Sequence, residues 1–120
     1  EEGIAWLRAA ITELAVAGPE DDFATSARYA LAEAIGFSGD HAGELASLDE
    51  TLSWQRASLP AEHPQVLRTR LRRLVSLRLG GQAKASVDEA RAVLGDTIRI
   101  FGADTAEVAY VHNALARSLE

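Results

Sequence analysis

The chain has 120 residues, 48% of them hydrophobic, which is enough for one domain with a buried core. Its formal net charge of −6 argues against binding to a nucleic-acid backbone, and the absence of cysteine excludes disulfides and thiolate chemistry. A chain without cysteine suits a reducing interior, so we expect a cytoplasmic location. Charged residues interrupt the apolar stretches well before the roughly 20 residues of a membrane span, and no basic-then-apolar leader opens the chain. We therefore expect neither a nucleic-acid nor a membrane partner.

Apolar residues recur at three- and four-residue spacing along the chain, which predicts helices and no strands. Glycine, proline and acidic residues separate the apolar stretches and mark where helices begin and end. In chain order, the predicted helices cover about residues 3–17, 23–36, 41–58, 65–79, 83–100 and 105–119. The loops between them are short, which favours antiparallel packing of neighbouring helices.

A shift of 42 residues aligns the chain with itself. The segment AGPEDDFATSAR (17–28) falls on LPAEHPQVLRTR (59–70) and then on FGADTAEVAYVH (101–112). Gly39 matches Gly81, and Val66 matches Val108. Turn, small and core residues each match their own kind, so the chain is predicted to be built from repeats.

Three segments resemble the 42-residue variety of tetratricopeptide repeat (TPR): HPQVLRTR (63–70), HNALA (112–116) and GDHAGEL (39–45). This variety is familiar from kinesin light chains and from many actinobacterial multidomain proteins. The resemblance implies an all-α, right-handed α-solenoid of antiparallel helical hairpins with six helices. It covers residues 1–120 as a single array: a trailing helix (3–17), two repeats (23–58 and 65–100) and a leading helix (105–119). We expect this array to be part of a longer protein.

The middle repeat departs from the pattern. Leu31 and Leu115 fill a large-residue position that Arg73 occupies in the middle repeat, and Leu74 stands where the other repeats have alanine. Either the register slips by one residue, or the middle leading helix packs differently.

Catalytic chemistry finds little support. His41, His63 and His112 occupy three different repeat positions, so a solenoid would not gather them around a metal ion. His63 precedes Pro64, which fits the start of a helix. The segment GFSGD (36–40) lacks the spacing of a nucleophile elbow, and GGQAKAS (80–86) lacks that of a phosphate loop. Trp6 and Trp54 fit core or interface anchors. We predict no catalytic, cofactor-binding or metal-binding residues.

An arginine cluster is the charge feature that stands out. Five arginines lie within residues 68–78, and no acid occurs between His63 and Val87. The resemblance implies that leading helices line a concave groove, and it places these residues there: Ser26, Tyr29, Ala30, Glu33, Arg68, Leu71, Arg72, Val75, Arg78, Tyr110, Asn113, Ala114 and Arg117. The alternative is that the arginines pair with acids of neighbouring helices.

The leading hypothesis is a non-catalytic scaffold that binds a partner segment of acidic character. Its expected partner-binding residues are Arg68, Arg72, Arg78, Tyr110, Asn113, Arg117 and Glu33. The alternative is a structural spacer or self-association element of a multidomain regulatory protein, with end-to-end contacts between copies. An enzyme would need convergent polar spacings that the chain lacks, and a helix-turn-helix regulator is disfavoured by the overall acidity.

Overall fold

The computed structural model describes residues 2–14 and 16–119, and this part of the chain contains six α-helices and no β-strand. The helices are α1 (Glu2–Glu13), α2 (Asp22–Phe37), α3 (His41–Arg56), α4 (Pro64–Leu79), α5 (Ala83–Phe101) and α6 (Ala106–Ser118). The all-α prediction is confirmed. None of these helices combines the length and the apolar character that crossing a bilayer requires. The chain divides into two compact units: unit 1 ends at Leu59, and unit 2 begins at Pro60.

The first helix is shorter than predicted. The apolar pattern extended it to residue 17, but α1 ends at Glu13. The backbone N–H of Ala17 donates to the carbonyl of Leu14 at 2.9 Å, which is a turn and not an α-helical bond. Gly18 and Pro19 follow, and a proline disfavours helical backbone in the residue before it. Ala15 of the predicted helix, and Glu1 and Glu120 of the predicted array, lie outside the described residues.

The helices begin at a regular spacing of 42 residues. The helices α2, α4 and α6 begin at residues 22, 64 and 106, and α3 and α5 begin at residues 41 and 83. Gly39 and Gly81 occupy the turn inside each hairpin with φ of +90° and +83°, where a side chain would be strained. The sequence repeat is therefore also a repeat of helix starts and turns.

The helices α2, α4 and α6 each begin with a side-chain cap at the same repeat position. Asp21, His63 and Thr105 are the N-caps of α2, α4 and α6. Each side chain accepts a backbone N–H two or three residues later, at 2.9–3.4 Å. For His63 the acceptor is Nδ1, and Pro64 follows as the first helical residue. This arrangement agrees with the interpretation of His63 as a helix-start residue.

In unit 1, α2 packs against both α1 and α3. The buried apolar residues of α2 and α3 are Ala24, Ala27, Leu31, Ala32, Ile35, Leu48 and Leu52. No residue of α1 is buried. Trp54 of α3 is half-buried, and its Nε1–H donates to the carbonyl of Ala17 at 3.2 Å. Trp54 is therefore an anchor between α3 and the segment that follows α1.

In unit 2, α5 packs against α4 and α6, and α4 also contacts α6. The core consists of Leu67, Leu71, Leu74, Ala90, Val93, Val111 and Ala114. Leu74 is fully buried, whereas Arg73 is half-buried beside Glu89 of α5. Since the helix starts keep their spacing, the register does not slip at Arg73. The middle leading helix instead packs with an ion pair where its counterpart Leu31 is apolar.

The caps make a prediction about stability. We expect His63→Ala to lower the free energy of unfolding by about 0.5–2 kcal/mol, because the N–H of Gln65 loses its acceptor. His63→Asp should stay within about 0.5 kcal/mol of the parent, since Asp is the residue at the equivalent cap of α2 and suits a helix N-terminus. Urea denaturation followed by circular dichroism measures both. His112→Ala, a change at an exposed histidine inside α6, is the control, and an equal loss there would contradict the cap assignment.

Candidate functional site

Two of the clustered arginines, Arg70 and Arg73, form ion pairs with acidic residues of α5. Arg70 Nε donates to Glu89 Oε1 at 3.2 Å, and Arg70 Nη1 lies 3.8 Å from Asp96 Oδ2. Arg73 Nη1 lies 3.8 Å from the same Glu89 oxygen. Both arginine side chains are largely shielded from solvent. For Arg70 and Arg73, the structure therefore agrees with the alternative interpretation, pairing with acids of a neighbouring helix.

Arg68 faces a different neighbour. Its side chain is about half exposed, and its Nε lies 3.8 Å from Glu107 Oε2 at the start of α6. Its guanidinium also lies over the ring of Phe101, 5.1 Å from the centroid. These two contacts hold the cation at the edge of α4 that faces α6, and they leave part of it accessible.

A concave surface lies between α4 and α6, with a volume of about 350 Å³. We call it the α4–α6 groove and define it by its lining residues Arg68, Leu71, Arg72, Ala106, Glu107 and Tyr110. Three of these, Arg68, Arg72 and Tyr110, were predicted partner-binding residues, and the structure brings them together. The groove combines guanidinium groups, a carboxylate and apolar surface, which suits a ligand that is both acidic and apolar.

Glu107 was not predicted as a groove residue. Acidic residues between the apolar stretches were interpreted only as marks of where helices begin and end. Glu107 lies three residues before Tyr110, so both lie on one face of α6. That spacing was the available signal. It could not show that this face of α6 turns toward Arg68.

The remaining predicted residues do not line the groove. Arg78 is half-buried near the end of α4, and Asn113 and Arg117 are exposed on α6. Arg117 Nε donates to Asn113 Oδ1 at 3.4 Å, so these two side chains contact each other. Glu33 is exposed on α2, in unit 1. Ala114, which the repeat frame placed on the groove surface, is instead a residue of the unit 2 core because it packs inward beneath α4 and α5.

The histidines have separate structural environments. His63 caps α4, His112 is exposed on α6, and His41 Nδ1 lies 3.3 Å from Glu44 Oε1 within α3. In residues 2–14 and 16–119, no group of three or more His, Asp or Glu side chains is placed to hold a metal ion.

Arg28 of unit 1 is the repeat counterpart of Arg70, but its surroundings differ. Its guanidinium lies over the ring of Trp54, 4.3 Å from the centroid. Burial lowers the pKa of Arg28, and the negative charge of Glu50 acts in the opposite direction. Trp54 is the repeat counterpart of Asp96. Arg28 therefore stacks on an aromatic ring at the repeat position where Arg70 pairs with a carboxylate.

The ion pairs of Arg70 and Arg73 make a second prediction. We expect Glu89→Ala to lower the free energy of unfolding by about 1–3 kcal/mol, because two shielded guanidinium groups lose their shared acceptor. Asp88→Ala is the matched control on the same helix. Asp88 pairs with Lys84 at the surface, where both side chains are mostly exposed, so its loss should cost less than about 0.5 kcal/mol. Urea denaturation measures both changes, and equal losses would show that the Glu89 contacts contribute no more than a surface pair.

Comparison with known proteins is consistent with this architecture. No protein-family model matches the chain, and no curated protein matches it in sequence. Two crystal structures are similar to it, both of nearly identical TPR-like repeats from a protein assigned as a kinesin light chain of Podosopora anserina, and one of them carries a single substitution. Each superimposes with a TM-score of 0.74 at 19% sequence identity over 98% of this chain. The chain spans 56% of the length of those structures. The likeness shows that the fold of this chain is that of the TPR-like helical repeats.

Proposed function

We propose that the protein is a non-catalytic module that binds a segment of a partner protein in the α4–α6 groove. The observation that carries this proposal is the convergence of Arg68, Arg72 and Tyr110 on one concave surface. A guanidinium group recognises a carboxylate through paired N–H donors, and an aromatic ring adds contact area at little entropic cost. The partner segment would therefore present an acidic side chain next to an apolar one.

The groove dimensions limit what it recognises. A volume of about 350 Å³ lies at the lower end of the range for ligand sites, so it accommodates one or two side chains of a segment. Leu71 and Ala106 supply the apolar part of the surface. The carboxylate of Glu107 already pairs with Arg68. An incoming carboxylate must compete with Glu107, so the groove selects ligands that also gain apolar contact. This supports a weak and selective interaction.

The similar TPR-like structures support a scaffold role, although the similarity shows only a shared fold. The 42-residue spacing of the helix starts supports the kinesin-light-chain type of repeat. The proposal includes that the chain belongs to a longer array. It also includes a cytoplasmic location, which the lack of cysteine favours.

The groove makes a third prediction. Peptides selected from a random display library on the intact chain should be enriched in Asp or Glu next to Leu, Phe or Tyr. Arg72→Glu should weaken the binding of a selected peptide at least about tenfold, because attraction becomes repulsion. Glu107→Gln should strengthen the binding of the same peptide, because the competing carboxylate is removed. Isothermal titration calorimetry measures both affinities.

The control for Arg72→Glu is Arg91→Glu, which makes the same change in charge at an exposed position of α5 outside the groove. Binding should stay within about twofold of the parent, and circular dichroism should show intact helices in every variant. If Arg91→Glu weakens binding as much as Arg72→Glu, the interaction depends on net charge and the groove assignment is wrong.

A second candidate function, self-association, is favoured by burial at equivalent repeat positions. Trp6 of α1 stands at the repeat position of Leu48 in α3 and Ala90 in α5. Leu48 is 2% exposed and Ala90 is 0% exposed, whereas Trp6 is 65% exposed. Ala90 belongs to a core cluster with residues of the leading helices α4 and α6. The face of α1 that carries Trp6 is therefore suited to a leading helix from another copy.

Helix α6 presents the complementary face. Leu119, just after α6, stands at the repeat position of Ile35 in α2 and Leu77 in α4, both buried. Leu119 itself is 63% exposed. Helix α1 of one copy and α6 of another could together form a hairpin like α2–α3, which gives head-to-tail assembly.

Self-association makes a fourth prediction. Light scattering during size-exclusion chromatography should show a mass that rises with protein concentration. Trp6→Glu should weaken this association at least about tenfold, because a charge would be buried at the contact. Phe37→Glu, a change at an 88% exposed aromatic residue outside both faces, should leave the association unchanged. A parent chain that stays monomeric at high concentration would contradict this second candidate.

A further inference from the structure

Unit 1 contains a cavity of about 310 Å³ at the contact of α1, α2 and α3. Its lining includes Arg8 and Ile11 from α1, Arg28 and Leu31 from α2, and Ser47 and Glu50 from α3. The charged residues of this lining are two arginines and one glutamate. The surface is therefore net positive, although the chain as a whole is acidic.

The repeat shows what this position holds in the other unit. Arg28 corresponds to Arg70, and Ser47 corresponds to Glu89. In unit 2, the Glu89 carboxylate lies 3.2 Å from Arg70 Nε and 3.8 Å from Arg73 Nη1. In unit 1, a serine hydroxymethyl group replaces the longer acidic side chain. The cavity thus lies beside the arginine where unit 2 places a carboxylate between two guanidinium groups.

The two arginines of the cavity come from different helices. Arg28 is half-buried and held against the ring of Trp54, whereas Arg8 is exposed at the rim of the cavity. A guanidinium stacked on a ring keeps its N–H edges for other acceptors. Burial makes the cation costly unless an anion is near, and Glu50, which is exposed, is the acid that acts on it. A second carboxylate would complete an arrangement like that of Arg70, Arg73 and Glu89.

We propose that this cavity is a second binding site, which accepts the carboxylate of an Asp or Glu side chain from a partner protein. The ligand carboxylate takes the role that Glu89 has in unit 2, with Arg28 and Arg8 as its donors. Ile11 and Leu31 supply the apolar wall for the rest of the side chain. Glu50 competes for Arg28 and keeps the affinity low. All residues of this site belong to unit 1, so binding there is independent of binding in the α4–α6 groove.

The test is a titration of the intact, ¹⁵N-labelled chain with the peptide acetyl-Gly-Asp-Gly-amide, followed by nuclear magnetic resonance of the arginine Nε–H groups. We expect a saturable shift of the Arg28 signal, identified by its loss in Arg28→Gln. The Asn version of the peptide has the same shape without the charge and should give no saturable shift. Inorganic phosphate is the third probe, and tighter binding of phosphate than of the Asp peptide overturns the carboxylate assignment.

Three variants locate the site. Ser47→Glu should abolish binding, because its carboxylate takes the position beside Arg28 as Glu89 does beside Arg70. Glu50→Gln should tighten binding several-fold, because the competing acid is lost. Arg28→Gln should weaken the binding reported by the remaining arginine signals about tenfold or more.

The matched control for Ser47→Glu is Ser53→Glu, which adds the same charge at an exposed position of α3 outside the cavity lining. It should bind the Asp peptide within about twofold of the parent. Circular dichroism establishes that each variant is folded, and Glu50→Gln, whose affinity should rise, distinguishes a lost site from a lost fold. The proposal is overturned if Ser47→Glu binds as well as Ser53→Glu, or if Glu50→Gln does not tighten binding.

Discussion

The apolar contact of α4 and α6 with α5 determines where the groove residues lie. Ala90 and Ala114 are small, so the helices approach closely, and Leu74 and Val93 fill the remaining space between them. This close approach brings Arg68 on α4 within 3.8 Å of Glu107 on α6. Without it, the arginine cluster would be a solvated helix face, and the α4–α6 groove would not form.

One repeat frame serves different physical purposes in the two units. The backbone positions, the caps and the turns recur every 42 residues, but the charged contacts do not. Arg28 stacks on an aromatic ring, whereas Arg70 meets two carboxylates. Burial at a position depends on the helices around it, so it recurs between α2 and α4 at Ile35 and Leu77 but is lost at Leu119 after α6. Charge pairing depends on a few side-chain atoms, so single substitutions change it without altering the helices.

Both proposed binding surfaces contain a competing acid. Glu107 lies beside Arg68 in the groove, and Glu50 acts on Arg28 in unit 1. In each case an incoming carboxylate replaces an existing interaction of the arginine, so the net gain from charge alone is small. Selectivity must then come from the apolar contacts beside the arginine. Under both proposals, the apolar contacts would let the chain discriminate among acidic segments instead of binding every anion.

The sequence by itself determined the helices and their repeat, because these features depend on local spacing and on residues close together in the chain. Apolar periodicity predicted the helices, and the 42-residue shift predicted where they begin. The resemblance to TPR repeats, carried over by position, also singled out Arg68, Arg72 and Tyr110. Only the tertiary structure decided that Arg70 and Arg73 pair with α5, and that Ala114 is a core residue. Those outcomes depend on which helix lies opposite each side chain, and residues far apart in sequence meet only after the helices have packed.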